Sequence, residues 1–100
     1  MMRGTTPVHI FNIPFDTSAI ESMRILYAQK EKVILTKVKE DCVLAEKSIT
    51  VQLSQEDTLL FNSGSLVQIQ IRVKTTDGNV SNSDIIEVPV GKCLENEVLL

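Results

Sequence analysis

From residue 67 to residue 74 the chain alternates without a break. Val67, Ile69, Ile71 and Val73 take one set of positions, and Gln68, Gln70, Arg72 and Lys74 take the other. A helix would scatter these residues around its circumference. A strand puts every branched aliphatic side chain on one face and every polar one on the other. A half-buried strand over residues 66–75 is therefore the firmest element of the sequence. Ile49, Val51 and Leu53 alternate in the same way with Thr50, Gln52 and Ser54. Val, Ile and Thr together supply 29 of the 100 residues, against 3 Ala, which favours strands over helices.

Other segments fit around these two. Residues 8–13 read as a strand ended by Pro14, and residues 16–22 as a capped helical turn or a loop. Residues 24–29 and 32–38 read as strands joined by a tight turn near Lys30-Glu31, and residues 42–45 as a short strand that turns at Glu46-Lys47. Ser54 followed three residues on by Asp57 has the spacing of a capping box. It predicts one helical turn, after which Leu59, Leu60 or Phe61 tucks back and Asn62-Ser63-Gly64 breaks the turn. Asp77-Gly78 predicts a hairpin through a type I′ turn. In the return strand Ile86, Val88 and Val90 face one way, and Pro89 puts it at an edge or on a bulge. About seven strands with frequent turn signals predict an all-β fold, a single immunoglobulin-like β-sandwich with one or two short helical turns. The pattern by itself is shared with a small barrel. There is room for one domain, residues 1–100, with residues 1–6 and 95–100 as flexible tails.

Charge and chemistry narrow the function classes. Ten basic and thirteen acidic residues leave a net charge of −3. The only basic concentration, Arg24, Lys30, Lys32, Lys37 and Lys39, is interrupted by Glu31 and closed by Glu40 and Asp41, with no aromatic platform. It reads as a solvated hairpin edge, so no nucleic acid is expected. His9 is the only histidine, and Cys42 and Cys93 stand far apart without ligand spacing, so neither a metal nor a Cys–His nucleophile is expected. The two cysteines read either as small apolar residues or as one bridge, and free thiols are the expectation for a reducing compartment. Glu40-Asp41 and Glu56-Asp57 sit at turns, where carboxylates normally cap the backbone. The four glycines form no phosphate-cradling loop. Asn79-Val80-Ser81 matches a glycosylation sequon, read as chance because no apolar leader follows Met1-Met2. The doubled methionine makes Met2 the expected natural start. No run is long enough to span a bilayer as a helix. With no Trp and only Tyr27, Phe11, Phe15 and Phe61, a sugar platform is poorly supplied, and Tyr27 is expected in the core. No catalytic, cofactor-binding or metal residue is assigned, and the expectation is not an enzyme.

Residues 67–90, an alternating strand running through Asp77-Gly78 into a Ser-rich return, resemble the final hairpin of fibronectin-III and immunoglobulin-like domains. Residues 49–61 resemble the corner before it. The Cys–Trp–Cys pattern of antibody domains is absent, so the resemblance implies the broader sandwich class. The whole chain also resembles a group of small uncharacterised phage and prophage proteins of gut Firmicutes. The matching stretches are Arg3-Gly4-Thr5-Thr6-Pro7, Leu26-Tyr27-Ala28-Gln29, Leu53-Ser54-Gln55-Glu56-Asp57-Thr58 and Lys92-Cys93-Leu94-Glu95-Asn96-Glu97-Val98. This resemblance carries no functional residues.

What the resemblance implies is a phage context among virion, tail or baseplate genes. The leading expectation is a non-enzymatic structural or accessory subunit acting through protein–protein contacts, with copies of itself or with other phage subunits. It would reside in the bacterial host cytoplasm or be incorporated in the virion. The alternatives are a host-surface binding module for glycan or protein that uses residues 75–84, and an intracellular protein that binds a host factor. Homo-oligomerisation, by extension of an edge strand with a copy of itself, is compatible with all three. The apolar tip Val98-Leu99-Leu100 reads as a fray or as a tail that docks on a neighbour.

Overall fold

The computed structural model describes all 100 residues. Eight strands occur in chain order: β1 (Val8–Asn12), β2 (Ile20–Gln29), β3 (Lys32–Val38), β4 (Cys42–Ala45), β5 (Ser48–Gln52), β6 (Val67–Thr75), β7 (Val80–Asn82) and β8 (Ile86–Val88). One short helix, α1 (Gln55–Leu59), and two 3-10 turns, Thr17–Ala19 and Lys39–Asp41, complete the set. The smaller sheet has the order β1-β5-β4. The larger has the order β3-β2-β6, with β7 and β8 sharing the far edge of β6. All these pairings are antiparallel. The fold is an all-β, immunoglobulin-like sandwich. In that architecture β1, β5 and β4 hold the neighbour relations of strands B, E and D, and β3, β2, β6 and β7/β8 those of C′, C, F and G. No strand lies beside β1 in the position of strand A.

The core follows from the period of two. Val67, Ile69, Ile71 and Val73 of β6 and Met23, Ile25 and Tyr27 of β2 are buried from one sheet, and Ile49 and Val51 of β5 from the other. Leu53, Phe61 and Val90 join the same cluster. Full burial of each large aliphatic or aromatic side chain is worth about 1.5–3 kcal/mol. The helical turn forms as the Ser54–Asp57 spacing predicts. The Asp57 amide donates to Ser54 Oγ at 3.0 Å, and the Asp57 carboxylate accepts from the Ser54 amide at 2.9 Å. Of the three apolar residues that follow, Phe61 tucks back and is buried, while Leu60 remains exposed.

Three expectations are corrected. The second strand begins at Ile20 rather than at residue 24, because the capped 3-10 turn at Thr17–Ala19 delivers the chain straight into the ladder. The return strand after the Asp77-Gly78 hairpin is two short strands, which raises the count to eight. Between them the Ser83 hydroxyl accepts from the Ile71 amide at 2.9 Å and so replaces a ladder bond. Finally, the Asp77-Gly78 turn is not of type I′. Gly78 alone of the two has a positive φ, 89°, and the bonds from the Gly78 amide to Thr75 O and from the Thr75 amide to Asn79 O describe a three-residue loop ending in a left-handed glycine. The two-residue turn with both φ positive lies instead at Lys30 (φ 51°) and Glu31 (φ 64°), between Gln29 and Lys32.

Two polar residues lock the corners. Gln29, buried at the end of β2, donates through Nε2 to Asn62 O at 2.7 Å and Ser65 O at 3.1 Å, and accepts from the Asn62 amide at 2.8 Å. Arg3 donates through Nε to Phe61 O at 2.7 Å and through Nη2 to Leu59 O at 3.0 Å, pinning residues 1–6 to the end of α1. Replacing Gln29 by Met, similar in shape but unable to hydrogen bond, orphans those loop groups. We expect it to lower stability by about 1–3 kcal/mol, read from urea unfolding. The left-handed Lys30-Glu31 turn carries side chains where Asn-Gly is unstrained. The double substitution Lys30→Asn, Glu31→Gly is expected to raise stability by about 1 kcal/mol, seen as a higher urea midpoint at unchanged slope.

Candidate functional site

β1 is short because Pro7 and Pro14 bracket it, and it is uncharged at neutral pH: Val8, His9, Ile10, Phe11, Asn12. Its only strand partner is β5. The bonds from the Leu53 amide to Pro7 O and from the Ile13 amide to Lys47 O set the phase of the ladder. Alternation then turns the main-chain groups of His9 and Phe11 toward β5, and those of Val8, Ile10 and Asn12 toward the open side. The side chains alternate as well. Ile10, 64% exposed, and Val8 lie on the outer face with Val43 of β4, whereas His9 and Phe11 turn inward.

The remaining sheet edges are guarded. β3 carries Lys32 and Lys37 and a register shift opposite Tyr27/Ala28. β4 is four residues long, and β7 and β8 are three residues each, followed by Pro89. Lysines, bulges, prolines and brevity all discourage pairing with another chain. β1, five residues long, carries no lysine, bulge or proline within its length.

Beside that open edge the two sheets part to leave a groove of about 620 Å³. Phe11, Ile13 and Phe15 line it from the β1 side, and Ile69, Ile71 and Ile86 from β6 and β8. No acidic or basic side chain lines it. Of the residues expected to face inward on the return strand, Val90 is buried, Val88 half-buried and Ile86 exposed, and Ile86 alone of the three lines this opening.

His9 and Tyr27 close the inner end of β1 against β2. His9 Nδ1 lies 2.8 Å from the Tyr27 hydroxyl, and the rings stack with centroids 5.7 Å apart. Tyr27 also packs on Phe61 at 6.0 Å. Burial lowers the His9 pKa from its ordinary value, and the N-terminal ammonium lowers it further. Burial likewise raises the Tyr27 pKa far above the ordinary phenol range. The neutral pair therefore acts as a hydrogen-bonded strut between the sheets.

The remaining sequence candidates are dispersed. Cys42 and Cys93 are free thiols. Burial, and Asp41 next to it, raise the Cys42 pKa, which keeps it protonated near neutrality and weakens it as a nucleophile. Asp41 caps the Val38 amide at 2.9 Å. Asp57 caps α1 and pairs with Lys37 at 2.9 Å. Burial pushes the Asp57 carboxyl up, but the Ser54 backbone bond and Lys37 outweigh it and hold the group below its ordinary value. Lys39 donates to Ile20 O, so the basic run is split among separate partners. Arg24 and Arg72 are directly paired across β2 and β6 and line a shallow polar groove of about 360 Å³ with Lys39, Lys74, Glu21 and Glu40. Residues 75–84 form a hairpin rather than an open loop; Asp77 accepts from Thr75 and from Asn79 there. The tail bends back onto α1, where Gln55 bonds both the amide and the carbonyl of Leu99, at 2.6 and 3.0 Å. No group of three or more His, Cys, Asp or Glu side chains converges on a common point. No helix is long and apolar enough to cross a membrane.

Neither a scan against protein-family models nor a search of curated proteins returned a match to this chain. The site is therefore defined by its own geometry: an unguarded strand edge beside an uncharged apolar groove.

Because folding lowers the His9 pKa, the unfolded chain takes up its proton first. Stability is therefore expected to hold above the ordinary value of 6.5 and to fall as pH drops below it toward the folded-state value. Urea midpoints at about pH 7.5 and about pH 5.5 measure this, and His9→Gln should flatten the difference. The carboxylates Asp16, Asp57 and Asp77 act lower, below their ordinary 3.8.

Proposed function

We propose that this chain is a non-catalytic accessory or structural subunit that works through protein–protein contact, and that it makes this contact along β1. The observation that carries the reading is the contrast among edges. Each other edge strand is short, broken or lysine-bearing, and β1 alone offers Val8, Ile10 and Asn12 main-chain groups to an incoming strand. Strand addition uses such an edge for affinity and adjoining pockets for side-chain selection, and the 620 Å³ groove supplies the pocket.

The setting in this proposal is a phage or prophage, with the protein associated with the virion, tail or baseplate. The resemblance in residues 3–7, 26–29, 53–58 and 92–98 supports that setting. Protein contact is favoured over a host glycan because Tyr27 and Phe61 are buried and Phe11 and Phe15 line the groove. No flat aromatic platform faces outward.

Particles purified from an induced host and examined by mass spectrometry test the proposal. The polypeptide is expected in intact particles and is expected to be depleted from them by Ile10→Lys, which charges the β1 edge. Absence of the wild-type chain from intact particles would remove the virion role. Binding on a glycan array, where none is expected, would favour the sugar reading instead.

A further inference from the structure

We infer that the occupant of the β1 edge is a second copy of this chain, paired β1 to β1 in antiparallel sense about a two-fold axis through Ile10. The inference rests on the protein-contact reading above and names its partner.

The phase of the β1 ladder fixes the register. Val8, Ile10 and Asn12 carry the outward main-chain groups, so these residues must face one another in hydrogen-bonded pairs. The arrangement that uses all of them sets Ile10 opposite Ile10 of the second copy, and Val8 opposite Asn12. Just outside the strand the prolines stop the ladder: Pro7, one residue before Val8, and Pro14, two residues after Asn12, have no amide hydrogen to give. On the inner face the same register sets His9 opposite Phe11 of the second copy. The incoming strand then takes the vacant position of strand A, and its inward Phe11 meets the groove between Phe11, Phe15, Ile71 and Ile86.

Charge selects this occupant. The groove has no ionisable lining, so a strand with charged inward positions would lose solvation there without gaining a counter-ion. The segment Val8–Asn12 carries no Asp, Glu, Lys or Arg, although the whole chain carries a net −3. Closure points the same way. One two-fold contact covers both open β1 edges and both grooves, joins the two smaller sheets, and leaves only guarded edges outside, so growth stops at two.

Sedimentation and light scattering of the full chain at micromolar concentration, with circular dichroism as the folding control, provide the test. The wild type is expected to be a dimer. Ile10→Lys sets like charges directly opposite at the axis and should weaken dimerisation roughly tenfold or more. Ile10→Pro removes an amide that has no partner within its own chain, so it should yield a folded monomer. Val43→Lys, on the same face but two strands away, should stay dimeric. With Cys42 and Cys93 replaced by Ser, Ile10→Cys is expected to oxidise to a covalent dimer, since facing strand residues lie within disulfide reach. Val43→Cys is not expected to do so. A wild-type monomer, or a dimer that survives Ile10→Lys and is not trapped by Ile10→Cys, would overturn the inference. The protein-contact reading has its separate measurement in particle incorporation. A monomer that enters particles only with Ile10 intact would refute the second copy as occupant and uphold the edge.

Discussion

The interaction on which the rest depends is the burial of one face of β6. This strand has neighbours on both sides, with β2 along most of one edge and β7 and β8 along the other. Its inward residues Val67, Ile69, Ile71 and Val73 are all buried. Every other element is positioned relative to that face. β5 caps it from above with Ile49 and Val51, Phe61 and Val90 join the cluster near its Val67 end, and Tyr27 spans to the opposite sheet through His9. A one-residue slip would turn Gln68, Gln70, Arg72 and Lys74 inward, which would bury charge. The register is therefore set by solvation as much as by hydrogen bonding.

Polar groups in the interior follow the same logic. No buried side-chain nitrogen or oxygen lacks a partner. Thr58, fully buried, donates to Thr5 O at 2.9 Å, and Thr17 donates to Ala45 O. Together with Gln29 and Arg3 these bonds tie irregular segments to the sheets, where no ladder is available to satisfy their carbonyls. The architecture is thus two hydrophobic faces held in place at the corners by a few side-chain clamps.

Local patterns were legible in the sequence, and long-range relations were not. β6 could be read from its period and α1 from the Ser54–Asp57 spacing, and of the capped turn or loop left open for residues 16–22 the structure has the capped turn, at Thr17–Ala19. Each of these is decided within a few residues. The Lys30-Glu31 turn was legible in place but not in type, because neither residue favours positive φ and the flanking strands impose it. Here the Glu31 amide is also held by Gln68 at 2.9 Å. Gln29 sits at a strand end, where a polar residue is ordinarily solvated, and its burial depends on a loop more than thirty residues away. The site was the least legible part. The absence of charge between Pro7 and Pro14 was visible, but an edge is open only by virtue of which strands fail to come beside it, and strand order is not a local property.

The pairing of β2 with β6 has a consequence for synthesis. Ile25 meets Ile71 and Tyr27 meets Ile69, so the greasy side of β2 leaves the ribosome long before its lasting shelter is made. Until Thr75 has emerged, the nascent polypeptide holds a hairpin whose inner surface is covered by nothing permanent. Contacts so distant along the chain form slowly, and surfaces exposed in the interval invite aggregation. The step that ends this exposure is therefore the closing of β6 onto β2, the pairing that joins the two halves of the chain.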